Sequence, residues 1–220
     1  MIAEKGSGNI ISKEFHVSSF IRLHIAAKGL TNLIQSEEEK VVVECDDNLL
    51  GSFEAMNYGR TLYISSDAKL RTPIFTDLKI NVYYSSIDTL FVRCDGGNVT
   101  CENQMRLDNP LEIKIQSVGN TNLVIDVPTA KLTSQCVGDV TLSGKCGMLY
   151  IRNQSEGNLF AKELIANELA IKNMAAGNVT VSVQDAITIS HHGEGYIHYY
   201  GKARLKDVKH YGNGIIKRFD

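Results

Sequence analysis

A glycine followed by Asn or Asp, and then as a rule by an apolar residue, returns along this chain at a nearly constant interval. The series runs Gly97-Asn98-Val99, Gly119-Asn120-Thr121, Gly138-Asp139-Val140, Gly157-Asn158-Leu159 and Gly177-Asn178-Val179. Weaker copies follow at Gly195-Tyr196-Ile197 and Gly214-Ile215-Ile216. Successive glycines stand 22, 19, 19, 20, 18 and 19 residues apart. A period near 20 residues is the signature of a solenoid, one structural rung per repeat.

Aligning the repeats on their glycines shows what each rung is made of. Six residues before the glycine stand Leu132, Ile151, Ile171, Ile189 and Val208; two after it stand Val140, Leu159, Val179, Ile197 and Ile216. Eight before stand Ala130, Leu149, Leu169, Ile187 and Lys206. These positions alternate with polar ones at period two, which is strand periodicity. Each rung therefore reads as short strands of about 3–5 residues joined by corners. Identical positions can stack only if successive strands run parallel, about 4.8 Å apart. The rest of each coil serves as the crossover, and strand twist makes it right-handed. A sharp corner suggests glycines at positive φ, where the absence of a Cβ removes the penalty. The column two before the glycine is also small: Cys136, Ser155, Ala175, Gly193 and Gly212. The Asn/Asp column suits a turn or a ladder of stacked amides.

Residues 10–90 keep the strand signal and lose the period. Phe20–Ile25, Lys40–Glu44, Thr61–Ser65 and Leu78–Tyr83 alternate, with longer polar connections. Atypical first coils of this kind shield the open end of a solenoid. Asn48–Met56 is the one amphipathic candidate, read as a helical turn or one short helix. The chain of 220 residues carries a net charge of −2 and no basic stripe, which argues against nucleic acid as a partner. The five cysteines, Cys45, Cys94, Cys101, Cys136 and Cys146, form no CxxC pair and are odd in number. We read them as small buried core residues rather than a disulfide framework. No signal peptide or transmembrane stretch is visible, so a cytoplasmic chain and a processed, exported one both fit.

Gly6-Ser7-Gly8-Asn9, then the strand Phe20–Ile25, then the run from Val41 to Ser65 containing CDDNLLGSFEAMNYGRTLYIS, then glycine-centred coils from Gly97 to Phe219, occur in an informative order. Taken together they resemble the bacterial head GIN domain family, labelled putative auto-transporter adhesins and a domain of unknown function. The resemblance implies a right-handed β-helix, exported to the cell envelope. Family members show Gly-Ser-Gly before the Asp or Asn of most coils. Here that is complete at Gly6-Ser7-Gly8 and partial at Gly193-Glu194-Gly195 and Gly212-Asn213-Gly214, while Val137, Glu156 and Ala176 precede the other glycines.

Three groups of residues could carry chemistry. His191 and His210 stand four before their glycines and should stack on adjacent rungs, the geometry of a metal-bridging pair with Glu194 nearby. The same column holds Ser134, Asn153 and Asn173, the pattern of a solvated ladder, so we expect no metal and no cofactor. Glu156 and Glu194 lie two rungs apart, about 10 Å, wider than the ~6.5–9.5 Å of an inverting glycosidase pair. Tyr196, Tyr199, Tyr200 and Tyr211, with Phe219, form a candidate binding surface or cap the last coil. Calcium is disfavoured, because each coil offers one amide where a calcium repeat needs carboxylates.

The expectation is a single all-β domain over 1–220: a right-handed parallel β-helix with an irregular cap at 1–90 and regular coils at 91–220. Gly97, Gly119, Gly138, Gly157, Gly177, Gly195 and Gly214 are its structural turns. Its expected role is a non-enzymatic binding or adhesion module of the cell envelope, engaging a surface glycan or protein. The alternatives are a β-helix that polymerises end to end and a carbohydrate-active enzyme.

Overall fold

The computed structural model describes residues 4–66, 73–94 and 96–220. The N-terminal half holds β1 (Ile10–His16), β2 (Arg22–Ala26), β3 (Leu30–Gln35), β4 (Lys40–Asp46), β5 (Glu54–Tyr58), β6 (Thr61–Ser65), β7 (Leu78–Tyr84), β8 (Thr89–Val92) and β9 (Asn98–Cys101). Most alternate apolar and polar residues, so one side is dry: in β2, Leu23 and Ile25 are buried while Arg22 and His24 face out, whereas the outlying β1 and β5 bury no residue fully. β2 and β3 make the first coil and define two faces. On the first face β2 lies between β6 and β8, with Leu23 opposite Leu62 and Leu90. On the second face β3 lies between β7 and β9. The chain therefore does not wind in order. The coil β6–β7 sits outside the first coil, and the connection 85–88 carries the chain to its other side. β4 and β1 then cover the second face antiparallel, β4 on β7 and β1 on β4, and β5 covers the first face antiparallel on β6.

The solenoid proper follows with β10 (Met105–Arg106), β11 (Leu111–Ile115), β12 (Thr121–Ser134), β13 (Val140–Asn153), β14 (Leu159–Asn173), β15 (Val179–His191), β16 (Ile197–Tyr200), β17 (Arg204–His210) and β18 (Ile216–Phe219). It is a parallel β-solenoid in which Leu132, Ile151, Ile171 and Ile189 stack in register and are buried. Burying one such side chain contributes about 1.5–3 kcal/mol. The strands β12–β15 are far longer than the 3–5 residues expected. In β12 the inward residues Thr121, Leu123, Ile125 and Val127 are followed, after a slip in phase at Pro128-Thr129, by Ala130, Leu132 and Ser134. The strand bends around the corner without leaving its hydrogen-bonded ladder, so one strand serves both faces.

Three further expectations need correcting. The helical turn is a 3-10 helix at Asp47–Ser52 only; Leu49 is buried by it, and Met56 belongs to β5, whose antiparallel pairing with β6 prevails over helical spacing. A bulge in β17 places Leu205 rather than Lys206 opposite Ile187, releasing Lys206 to pair with Glu168 at 2.6 Å. Val208 aligns with Ile189 but is 41% exposed, because β17 and β18 end the stack and none of the described residues covers that end. The five cysteines are free thiols, four buried and Cys101 half-buried, and burial pushes the Cys146 thiol up to about 11.

At the opposite end the Gly6-Ser7-Gly8-Asn9 segment clasps a buried acid. The Asp46 carboxylate accepts the N–H groups of Gly8 and Thr76, each at 2.8 Å. A Cβ on Gly6 would overlap that carboxylate, and Gly8 has φ +81°. Ser7 Oγ and Asn9 Nδ2 donate to Asp47 at 2.6 and 2.9 Å. Burial pushes Asp46 up, but the two amides, the Thr76 side chain and the residue's own backbone N–H together outweigh it and hold its carboxyl below the ordinary range.

Candidate functional site

Six of the seven repeat glycines lie in bends between strands and Gly97 lies just before β9, yet none falls in the left-handed region; positive φ occurs instead at Gly8, Gly29, Gly59, Gly96, Gly144 and Gly201. Their reason is contact. A Cβ on Gly119 would overlap the carbonyl oxygen of Gly97, and the same holds for Gly138 on Gly119, Gly157 on Gly138, Gly177 on Gly157, Gly195 on Gly177 and Gly214 on Gly195. Stacked corners approach too closely for any side chain. The Asn/Asp column closes these corners. Each side-chain oxygen accepts the backbone N–H of the equivalent residue one coil later: Asn98 from Asn120 at 2.8 Å, Asn120 from Asp139 at 2.9 Å, Asp139 from Asn158 at 2.8 Å, Asn158 from Asn178 at 3.0 Å and Asn178 from Tyr196 at 3.2 Å. A corner amide turned out of the sheet ladder would otherwise lack a partner.

The column of His191 and His210 is not a solvated ladder. Ser134, Asn153, Asn173 and His191 are all buried. Asn153 Nδ2 donates to Asn173 Oδ1 at 3.0 Å, and Asn173 Nδ2 donates to His191 Nδ1 at 3.3 Å. That leaves the proton on His191 Nε2, which has no hydrogen-bond partner among the described residues. The rings of His191 and His210 stack with centroids 5.3 Å apart, and His210 Nε2 lies 2.7 Å from the Gly214 carbonyl oxygen. Burial, and then the charge of His210, pull His191 below the usual imidazole range. Stacked parallel rings do not point two nitrogens at one ion, and no cluster of three metal-ligating side chains occurs among the described residues. Glu156 and Glu194 both project into solvent.

The aromatic residues divide three ways. Tyr199 points inward and is buried. Tyr211 is 69% exposed and stacks on His192 at 4.7 Å, on the first face. Tyr196, just before β16, and Tyr200 within it point outward on the second face, and two side chains not singled out from sequence join them. His198 stacks on Tyr196 at 3.9 Å, and Lys162 lies 4.5 Å over the Tyr200 ring. Phe219 of β18 sits 4.6 Å from His198 and 5.5 Å from Tyr200, with Lys217 above it at 4.7 Å. Burial, and then the charge of Lys217, lower the His198 pKa, so this ring is neutral around pH 7. Period two along Tyr196, His198 and Tyr200 was the available signal for His198; Lys162 comes from two coils back and left none. The result is a strip of interlocked rings with cations at its rim, stiff enough to present aromatic faces to a sugar ring or a partner's side chain.

A family model described as "Putative auto-transporter adhesin, head GIN domain" matches residues 19–203. Among curated proteins, none matches the chain. Of solved structures, a putative adhesin from Bacteroides fragilis superposes with a TM-score of 0.92 at 24% identity, covering 98% of this chain and 99% of its own. A putative lipid binding protein from Parabacteroides distasonis gives 0.69 at 16% identity over the whole of both chains. A putative adhesin from Parabacteroides merdae gives 0.66 at 16% identity over 98% of each. At these identities the likeness shows the fold.

Proposed function

The chain belongs to the head GIN domain family, and from that premise we propose that it is a non-catalytic binding module of the cell envelope. Its contact surface is the strip Tyr196, His198, Tyr200 and Phe219. The observation that carries this reading is that the strip lies outside the solenoid core, on the side of the end coils, with Lys162 and Lys217 at its margin. Rings stacked on one another lose little freedom on binding, which favours affinity. The names of the family and of its structural relatives agree with a binding role and do not specify a ligand. A glycan array and a bacterial surface-protein pull-down test the proposal. Wild type should retain a ligand without releasing product, and Tyr200→Ala/Phe219→Ala should lose it while melting like wild type. Turnover of a polysaccharide would instead establish the enzyme alternative, and an unaltered double variant would remove the strip. Envelope location is included in the proposal and is tested by fractionation and surface proteolysis of the native gene product.

A further inference from the structure

The outer side of the first face, away from the aromatic strip, carries an uncompensated charge pair. Its outward residues stack in columns. One column runs Lys114, Thr133, Arg152, Lys172, Ser190 and Lys209 in strict register across β11–β15 and β17. The neighbouring column runs Glu112, Lys131, Tyr150, Ala170 and Thr188. Glu112 pairs with Lys114 and Lys131, each at 3.2 Å. Arg152 and Lys172 stand directly opposite each other and make no ion pair or hydrogen bond among the described residues. Like charges facing across adjacent strands, about 4.8 Å apart, repel. Beside them the small Ala170 leaves a groove of 470 Å³, lined by Lys131, Tyr150, Arg152, Lys172, Gln135 and Gln154. Tyr150 is 46% exposed in it.

We propose that this groove binds an extended acidic polysaccharide, with a carboxylate or sulfate on Arg152 and Lys172 and a sugar ring on Tyr150. An anion there relieves the repulsion between the two cations, which no side chain of the groove does. Neutral hydrogen-bonding groups surround the cations: Thr133, Thr188 and a glutamine row in which Gln116 donates to Gln135 and Gln135 to Gln154 at 2.9 and 3.0 Å. That mixture of sparse charge, one ring and many amides and hydroxyls suits a hydroxyl-rich polymer with one charge per sugar. It suits a nucleic acid poorly, since that would require a denser row of cations. The inference rests on the binding-module reading in naming a ligand class, but it uses the opposite face, so the two are separable.

The test is titration calorimetry with oligogalacturonate, chondroitin sulfate oligosaccharide, neutral galactan and single-stranded poly(dT). The expected result is binding of at least one acidic glycan that weakens with added salt. Arg152→Gln/Lys172→Gln should reduce it by about tenfold or more, and Tyr150→Ala several-fold. Tyr200→Ala/Phe219→Ala should bind these acidic glycans like wild type. Binding lost in the strip variant but kept in the groove variant overturns this inference and leaves the strip standing. The inference also falls if no acidic oligosaccharide binds, if neutral galactan binds equally well, or if poly(dT) binds more tightly. Matching thermal melts of all variants confirm that each change acts on binding.

Discussion

Gly177 shows how a residue can be required by a neighbour twenty positions away. A methyl group there would enter the carbonyl oxygen of Gly157. Overpacking against backbone is relieved only by separating the coils, so Gly177→Ala should cost about 2–3 kcal/mol in urea unfolding. Gly51→Ala, with nothing within 4 Å of the new atom, should leave the midpoint unchanged. The period marks these glycines in the sequence. Their cause is hidden there, because tight turn and tight stacking leave the same letter. The histidine column is legible by phase and misleading by polarity. Positions eight, six, four and two before the glycine share one phase, so period two places Asn153, Asn173 and His191 inside, whereas their polar side chains suggest solvent. The buried imidazole has a consequence for pH. Its folded pKa lies below that of the unfolded chain, so the unfolded state binds the proton first. Stability is therefore lost as pH falls below about 6.5. The melting temperature should drop between pH 7.5 and 5.5, and His191→Asn, which extends the amide column, should shrink that drop. His24 and His198, also lowered, act in the same direction. An unchanged pH slope in His191→Asn would show that this ring is not a source of the acid sensitivity.

Among the elements, β12 to β15 are where sequence and structure agree most. The apolar columns predicted both the parallel register and the buried face, because a side-chain repeat of two inside a coil repeat near 19 leaves one way to stack. Ile171 lies between Ile151 and Ile189 in that stack. Ile171→Ala should lower stability by about 2–5 kcal/mol, read by chemical denaturation; a midpoint within error of wild type would mean that the register is wrong. The continuous bend was not legible, since of β12 to β15 only β13 carries a glycine of positive φ within the strand, Gly144, and one such residue sets no pattern. The bulge at Lys206 was also hidden: one extra residue in a coil shifts the columns locally, and fixed offsets from the glycine cannot register it. The same limit applies to one member of the aromatic strip: Tyr196, His198 and Tyr200 follow period two and Phe219 stood among the aromatic candidates, while Lys162 arrives from two coils back.

For the whole molecule, the two ends differ. The first is covered by antiparallel strands and held by the Asp46 clasp; the last leaves β17 and β18 uncovered, with Leu205 and Val208 exposed. An uncovered edge templates strand addition unless charge guards it. Lys217 and Arg218 stand in the final strand. Lys217→Thr/Arg218→Thr should increase self-association in sedimentation velocity, most at low salt where repulsion reaches farther. A double variant as monodisperse as wild type would show that charge is not the guard. The interleaving of β2 and β3 between later strands lay beyond sequence reading, because strand propensity identifies a strand and not its partners, and the period stops where the interleaving begins. That interleaving makes the molecule mechanically polar. Under tension between its termini, the last coil is always an edge, and its hydrogen bonds break in succession. From the other side, once β1 leaves β4, peeling stops at β2, which is gripped on both flanks by β6 and β8. A single-molecule stretching trace should thus show steps of about 60–70 Å, one coil of extended chain at a time, beginning at the C-terminal end. A tether attached at the N terminus would hold while the far end yields.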